Sequence, residues 1–526
     1  MNIITQNLIG YSYSAEGTKT FSTFNPVDQS ATPWVFKNAT LSELKKATAL
    51  SERAFVPYKS MSVARRAAFL RAIAKEILSL GEDLTRTYTM ETGLPKGRAE
   101  GERGRTIGQL EAFATAIENG QYLQPIIDHA DANRTPIPKV DLRKINEPIG
   151  PIAVFGASNF PLAYSTAGGD TASALATGCP VVVKAHPMHA GTNALVTQAI
   201  LKAAQDTKMP EGVFSCLYSN DYEIGSQLVQ DPLIKGVGFT GSISGGTALF
   251  KLAQSREVPI PVFAEMGSVN PVVVLPEALN KNPTDWANAY AGSISLGSGQ
   301  FCTNPGLIFC IQSPELDVFI HTLSEAFHQI APTFMLHPSI HGAYEKGQAE
   351  FDALAKKVGS TSTQSPAIEG IGHGAIYQVD AKTFAANPRL HQEVFGPLSL
   401  IVVCKDVAEL LPLIARLDGQ LTGTILGSEN DLQANETLVA TLQNRVGRLI
   451  FNGVPTGVEV CAAMQHGGPF PASTDERFTA VGVKAMDRWL RPVSYQNWPD
   501  KLLPKALQNN NPLGLHRLIN GTLIKD

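Results

Sequence analysis

The chain has 526 residues, 44% hydrophobic and 17% charged, with a formal net charge of −4. That length is too great for one small core and predicts two or three domains, while the acidic balance leaves no polyanion footprint and excludes nucleic acid as a partner. Six cysteines (Cys179, Cys216, Cys302, Cys310, Cys404, Cys461) stand far apart without a Cys-x-x-Cys pair, which argues against a disulfide framework or a structural zinc site and makes a reducing cytoplasm the expected location. Residues Met1–Gly10 lack a basic leader, and no apolar run approaches 20 residues, so neither export nor a membrane is expected.

Residues 1–35 read as polar and turn-rich, with a turn at Asn25-Pro26. From Leu41 to Leu80 apolar residues recur at helical spacing, with Ser42 and Glu43 in the first turn, and a second helical tract runs from Leu84 to Ile117 with a break at Gly93-Leu94-Pro95. In that tract Glu102, Arg103, Arg105 and Gln109 are near enough for several to share a face, and a solvated charged face is the plain reading. Residues 134–148 alternate polar and apolar from Pro138 onward, predicting an exposed strand or hairpin of the kind that serves subunit contact. Short apolar strands follow at 151–155, 180–184, 213–218, 234–239, 261–264 and 271–275, with a crossover helix at Ala163–Thr177. A second set lies at 307–310, 398–403, 423–426 and 448–451. Alternation of this kind predicts an α/β protein with parallel sheets and ligand sites at the carboxyl ends of strands. The tail from Pro492 to Asp526 is expected to drape over a neighbouring surface.

Cys302 sits in the small-residue loop Gly297-Ser298-Gly299-Gln300-Phe301-Cys302-Thr303-Asn304-Pro305-Gly306, where glycines let the backbone bring a thiol and its neighbouring N–H groups close to a substrate. A buried structural cysteine is the alternative. Glu265 ends an apolar run just before a glycine and an Asn-Pro turn, a setting suited to a general base, to a helix cap or to a salt-bridged core acid. Asn159 follows a strand, where its amide could donate to a developing oxyanion or only cap a helix. Lys184 ends the strand Val181-Val182-Val183 and fits a ribose or phosphate contact, or a lysine snorkelling to solvent. The stretch Gly238–Gly246 follows a strand and opens a helix, so its N–H groups suit a pyrophosphate, although it is not the general Gly-x-Gly-x-x-Gly fingerprint.

Glu-x-Gly-x-x-x-Pro (265–271) followed by Gly-Gln-x-Cys-Thr (299–303) resembles the NAD(P)-dependent aldehyde dehydrogenase superfamily, and further motifs recur in order over about residues 20–495. The resemblance implies an aldehyde-dehydrogenase-like α/β fold of two Rossmann-type parallel-sheet domains plus a small oligomerisation hairpin. Residues 1–133 with 149–267 would bind cofactor, 268–480 would be catalytic, and 134–148 with 481–526 would form the oligomerisation arm and tail. Cys302 is then the nucleophile, Glu265 the base and Asn159 the oxyanion donor. Lys184, with His186 beside it, would meet the adenosine ribose, and Ser242, framed by Gly241 and Gly246, the phosphate. In His391-Gln392-Glu393-Val394-Phe395-Gly396-Pro397, Glu393 would hold the nicotinamide ribose and Phe395 the ring. Pro187 stands where NAD-preferring relatives place a glutamate, which favours NADP, with NAD possible. His466 replaces an aromatic residue of many relatives, and is either structural or able to polarise the thiol or substrate. No metal is required.

The phrases 101–110, 184–187 and 465–471 are similar to the branch that oxidises 2-oxoglutarate semialdehyde (2,5-dioxopentanoate) in sugar-acid breakdown. Arg103 or Arg105 would receive its carboxylate, with Phe160 in the pocket. The alternatives are an NADP-dependent dehydrogenase of long-chain aliphatic aldehydes, a non-catalytic structural relative, and a cysteine hydrolase without a dinucleotide site. A homodimer or homotetramer is expected, from the 134–148 segment and the tail.

Overall fold

Strands buried on both faces must be apolar at every position, so the short apolar runs settle into parallel sheets. In the computed structural model, which describes residues 2–362 and 368–525, they do so twice. The first sheet runs Val262–Glu265, Gly236–Thr240, Ile152–Phe155, Val181–Lys184, Phe214–Leu217, all parallel. An antiparallel hairpin, Asn7–Ile9 with Ser12–Ser14, extends it. A second hairpin pairs Thr20–Asn25 with Ser30–Lys37. The Asn25-Pro26 turn is present, Asn25 Oδ1 accepting from Val27 N at 3.0 Å, but the residues around it are strands rather than loops. Their signal is the alternation that buries Phe21 and Thr23 on one face, too short to stand out among polar residues.

The first helical tract is two helices, Leu41–Lys59 and Val63–Ser79. Thr40 and Glu43 form a capping box on one, and Ser62 caps the other by accepting from Arg65 N. The second breaks as expected: Gly93 at φ 67° ends Gly81–Thr92, and Pro95 opens Lys96–Glu118.

The second sheet has the order Lys356–Ser360, Ala375–Asp380, Leu398–Cys404, Leu307–Ile311, Val272–Val274, Gln420–Leu426, Val446–Phe451, parallel except for its first pair. The third sheet corrects the reading of the tail. Leu490–Gln496 pairs with Leu142–Pro148 at seven positions, and His516–Ile519 runs parallel to Ile126–Asp128. The C-terminal stretch is therefore woven into one sheet with Ile126–Asp128 and Leu142–Pro148. Earlier, Ala485, Met486 and Trp489 join the core of the first sheet, Trp489 Nε1 donating to Ser173 Oγ at 2.7 Å. The chain thus crosses back between the two sheets, and the site lies where it crosses.

Candidate active site

Glu265 is the last residue of its strand and bridges to Ser473 on the returning segment. Both of its carboxylate oxygens are buried without a hydrogen-bond partner. The returning segment also delivers His466, 1% exposed, whose backbone N–H is fixed by Thr479 Oγ1 at 2.9 Å. His466 Nε2 lies 3.6 Å from Cys302 Sγ and 3.5 Å from Glu265 Oε2, between the two.

The Cys302 loop is held from several sides. Gly297, Ser298 and Gly299 run left-handed at φ 57°, 57° and 65°. A Cβ on Gly299 would lie 2.3 Å from the Gly396 backbone, so only glycine allows that approach. Asn270 Nδ2 donates to the Cys302 and Asn304 carbonyls at 2.8 and 2.9 Å. Asn159 Nδ2 reaches the carbonyl of Gln300 at 3.0 Å, which sets its amide against the loop two residues before the thiol. Burial, reinforced by the Glu265 carboxylate and only partly offset by Arg105, pushes the Cys302 thiol well above the ordinary cysteine range.

The stretch that follows Asn159 is held by a residue whose charge reads as solvent-facing in the sequence. Glu102 is 4% exposed, and its Oε1 accepts from Leu162 N and Ala163 N at 2.8 and 2.9 Å while Tyr88 Oη donates to Oε2 at 2.7 Å. These bonds hold Phe160–Gly168 as a loop, so the crossover helix spans Gly169–Thr177 and does not begin at Ala163.

The two candidate arginines separate. Arg103 Nη1 donates to the Gly81 carbonyl at 3.0 Å and is not brought to the thiol. Arg105 Nη2 donates to Tyr164 Oη at 2.9 Å, and Tyr164 stands 6.1 Å from the His466 ring. Positions 98, 102, 105 and 109 repeat at i, i+4, i+7 and i+11 and so share one face of Lys96–Glu118, whereas position 103 lies about 100° from Glu102. That periodicity would have selected Arg98, which the sequence reading passed over. Its guanidinium sits 4.4 Å from the Phe160 ring centre and 4.6 Å from that of Phe301. Arg448 was also missed; it is held by the carbonyls of Pro455 and Gly457 and is close enough to interact electrostatically with Cys302 and Tyr164. Nothing local in the sequence marks it, because 146 residues separate it from the thiol.

Between the two sheets, beside this cluster, opens a cleft of about 790 Å³ lined by Ser242, Ser244, Lys251, Ser268, Glu393 and Gln420, among others. Its wall is the start of the helix Ile243–Gln254, capped by Ser242 Oγ accepting from Gly245 N at 3.1 Å. The free N–H groups and dipole of such a start favour an anion, so the cleft fits a dinucleotide pyrophosphate. Gly241, just before Ser242, is exposed. Gly246 is buried, and a Cβ there would lie 2.5 Å from Met266 Sδ, so it serves close helix–sheet packing rather than the cleft. Burial, with Glu265 adding to it, raises the Glu393 carboxyl to about 7. Lys184, half-buried at its strand end, is lowered by burial to about 8. His186 caps a short turn through Nδ1 and stacks on His189 at 5.1 Å. Phe395 lines, with Glu393 and Phe301, a smaller hollow, and Glu393 lines the cleft as well.

Residues 13–486 match the aldehyde dehydrogenase family. The chain is 46% identical over 525 residues, 99% of both chains, to alpha-ketoglutaric semialdehyde dehydrogenase 2 of Azospirillum brasilense, and 45% identical over 516 residues, 97% of both, to alpha-ketoglutaric semialdehyde dehydrogenase of Acinetobacter baylyi. Among solved structures, the aldehyde dehydrogenase KauB from Pseudomonas aeruginosa superposes with a TM-score of 0.80 at 21% identity, covering 94% of this chain and 97% of that one. A match of this extent, on a fold that gathers one cysteine, one histidine and one glutamate beside a cleft, settles the family: this chain belongs to the aldehyde dehydrogenases, enzymes that oxidise aldehydes with NAD(P).

Proposed function

We propose that the protein oxidises 2-oxoglutarate semialdehyde to 2-oxoglutarate with NADP⁺, in the cytoplasm and as a homo-oligomer. The observation that carries the substrate is the full-length similarity, at 46% and 45%, to two enzymes named for it. Its α-oxo carboxylate is anionic, and the guanidiniums of Arg105 and Arg448 beside the thiol supply the opposing charge.

In this reading Cys302 gives its proton to His466 and attacks the aldehyde carbon, and the oxyanion takes up the amide of Asn159 in place of the Gln300 carbonyl. The nicotinamide, when bound, supplies the hydride acceptor. Cys302 is left as a thioester; Glu265 takes a proton from water, the water oxygen attacks the acyl carbon, and the thiolate leaves. Residues 149–267 would hold the cofactor and 268–480 the nucleophile.

NADP is favoured over NAD by Pro187, which leaves no carboxylate to repel a 2′-phosphate, and by Lys184, which among the described residues forms no ion pair. The exposed Ile137, Leu142, Trp498 and Leu523 of the arm support association. No helix among the described residues is long and apolar enough to cross a membrane. The test is kcat/KM for 2,5-dioxopentanoate against hexanal, with NADP⁺ and with NAD⁺. A preference for the oxo acid of about a hundredfold, roughly 2.7 kcal/mol, is expected; a preference for hexanal would replace this substrate with aliphatic aldehydes.

A further inference from the structure

Cys302, His466 and Glu265 each offer one metal-ligand atom, and the three atoms lie within 4.8 Å of one another. A tetrahedral zinc ion, with Zn–S about 2.3 Å and Zn–N and Zn–O about 2.0–2.2 Å, sets its ligand atoms about 3.4–3.6 Å apart. Cys302 Sγ to His466 Nε2 is 3.6 Å and His466 Nε2 to Glu265 Oε2 is 3.5 Å, so two of the three edges already have that length. The carboxylate points to a ligand independently: Glu265 is 4% exposed and neither oxygen has a hydrogen-bond partner, an arrangement that costs free energy until a cation or donor arrives. The three ligands are 37 and 164 positions from one another along the chain, so no motif spacing reveals them.

We propose that these three side chains form a site for a soft divalent cation, zinc by its ligand set, which switches the enzyme off reversibly. Thiolate, neutral imidazole and one carboxylate leave a fourth position open to water, and the thiolate selects zinc over magnesium or calcium. On binding, the Cys302 S–H bond breaks and its proton goes to solvent, Zn–S, Zn–N and Zn–O bonds form, and no electron is transferred. The two anionic ligands then neutralise the dication in a buried place. The bound ion occupies the sulfur lone pair that would attack the aldehyde and the oxygen that would activate water.

Inhibition rests on the reading of Cys302 as nucleophile; binding does not. The test uses full-length chain freed of metal with a chelator, titrated with Co²⁺ and, in competition with a chromophoric chelator, with Zn²⁺. One equivalent of cobalt should give a thiolate-to-cobalt charge-transfer band. His466→Ala and the isosteric Glu265→Gln should each weaken zinc by at least about tenfold, while Cys461→Ser, at the exposed cysteine, should not change it. Zinc should also abolish turnover, with recovery on chelation, and protect Cys302 from iodoacetamide. Absence of the band, or equal zinc affinity in all four proteins, would overturn the site. Binding through these ligands with undiminished turnover would overturn the switch and the nucleophile role together, whereas loss of binding alone leaves that role standing.

Discussion

The chemistry at the residue scale turns on a thiol that its surroundings keep protonated. Burial and the Glu265 carboxylate raise Cys302 well above the ordinary cysteine range, so the thiolate fraction grows with pH across the neutral region. Alkylation by iodoacetamide, measured with a chelator present, should accelerate about tenfold per pH unit with no plateau below pH 9; a plateau near pH 7 would mean the thiol is already ionised. Lys184 has the opposite sign. Its ammonium is lowered to about 8, so it is charged below that pH and loses charge above it. The KM for NADP⁺ should therefore rise as pH passes 8, and Lys184→Met should raise it at pH 7 and flatten the dependence. Arg105→Met should cost the oxo acid about 1.4–2.7 kcal/mol, roughly tenfold to a hundredfold in kcat/KM, with hexanal little changed. Equal losses on both substrates would make Arg105 a support for Tyr164 rather than a carboxylate contact. The residues read from sequence were those with a local signal: a cysteine among glycines, an acid in an apolar run, an asparagine after a strand. Arg448 and Tyr164 reach the site only through tertiary contact and left no such trace.

Among the elements, the helix Lys96–Glu118 does most to position the site, and it does so from one stripe. Arg98, Glu102 and Arg105 occupy that stripe, and Glu102 replaces the first turn of the expected crossover helix by accepting from Leu162 and Ala163. Glu102→Ala leaves two buried N–H groups unpaired, at about 1–3 kcal/mol each, and frees the loop that follows Asn159. Thermal unfolding should move to lower temperature, and kcat should fall more than KM rises; a stability loss with unchanged kcat would separate Glu102 from the oxyanion site. Helix ends were largely legible because caps and breakers are local, as at Gly93-Leu94-Pro95 and near Glu43. The N-terminal strands and the pair Lys356–Ser360 and Ala375–Asp380 were not, since short strands of mixed polarity are specified by the sheet they join.

For the molecule as a whole, two parallel sheets meet where residues 453–489 cross back, and that return supplies His466 and seats Trp489 in the first core. The strands were legible as runs of apolar residues, but their partners were not: Val272–Val274 reads with the first set and instead pairs in the second sheet, between Leu307–Ile311 and Gln420–Leu426. The third sheet was not legible, because it joins Ile126–Asp128 to His516–Ile519, almost 400 positions apart. Ending the chain before Leu490 would strip one of the two partners from Leu142–Pro148 and expose that edge; sedimentation should then show loss of assembly or aggregation, and an unchanged species would remove the arm from the interface. In the proposed reaction catalysis is covalent at Cys302, with Glu265 as the hydrolytic base. Glu265→Gln should therefore stop after one turnover, and mass spectrometry of the quenched enzyme with NADP⁺ and 2,5-dioxopentanoate should find the acyl group on the peptide containing Cys302, together with one equivalent of NADPH. An equivalent of NADPH without any acyl mass on that peptide would contradict it.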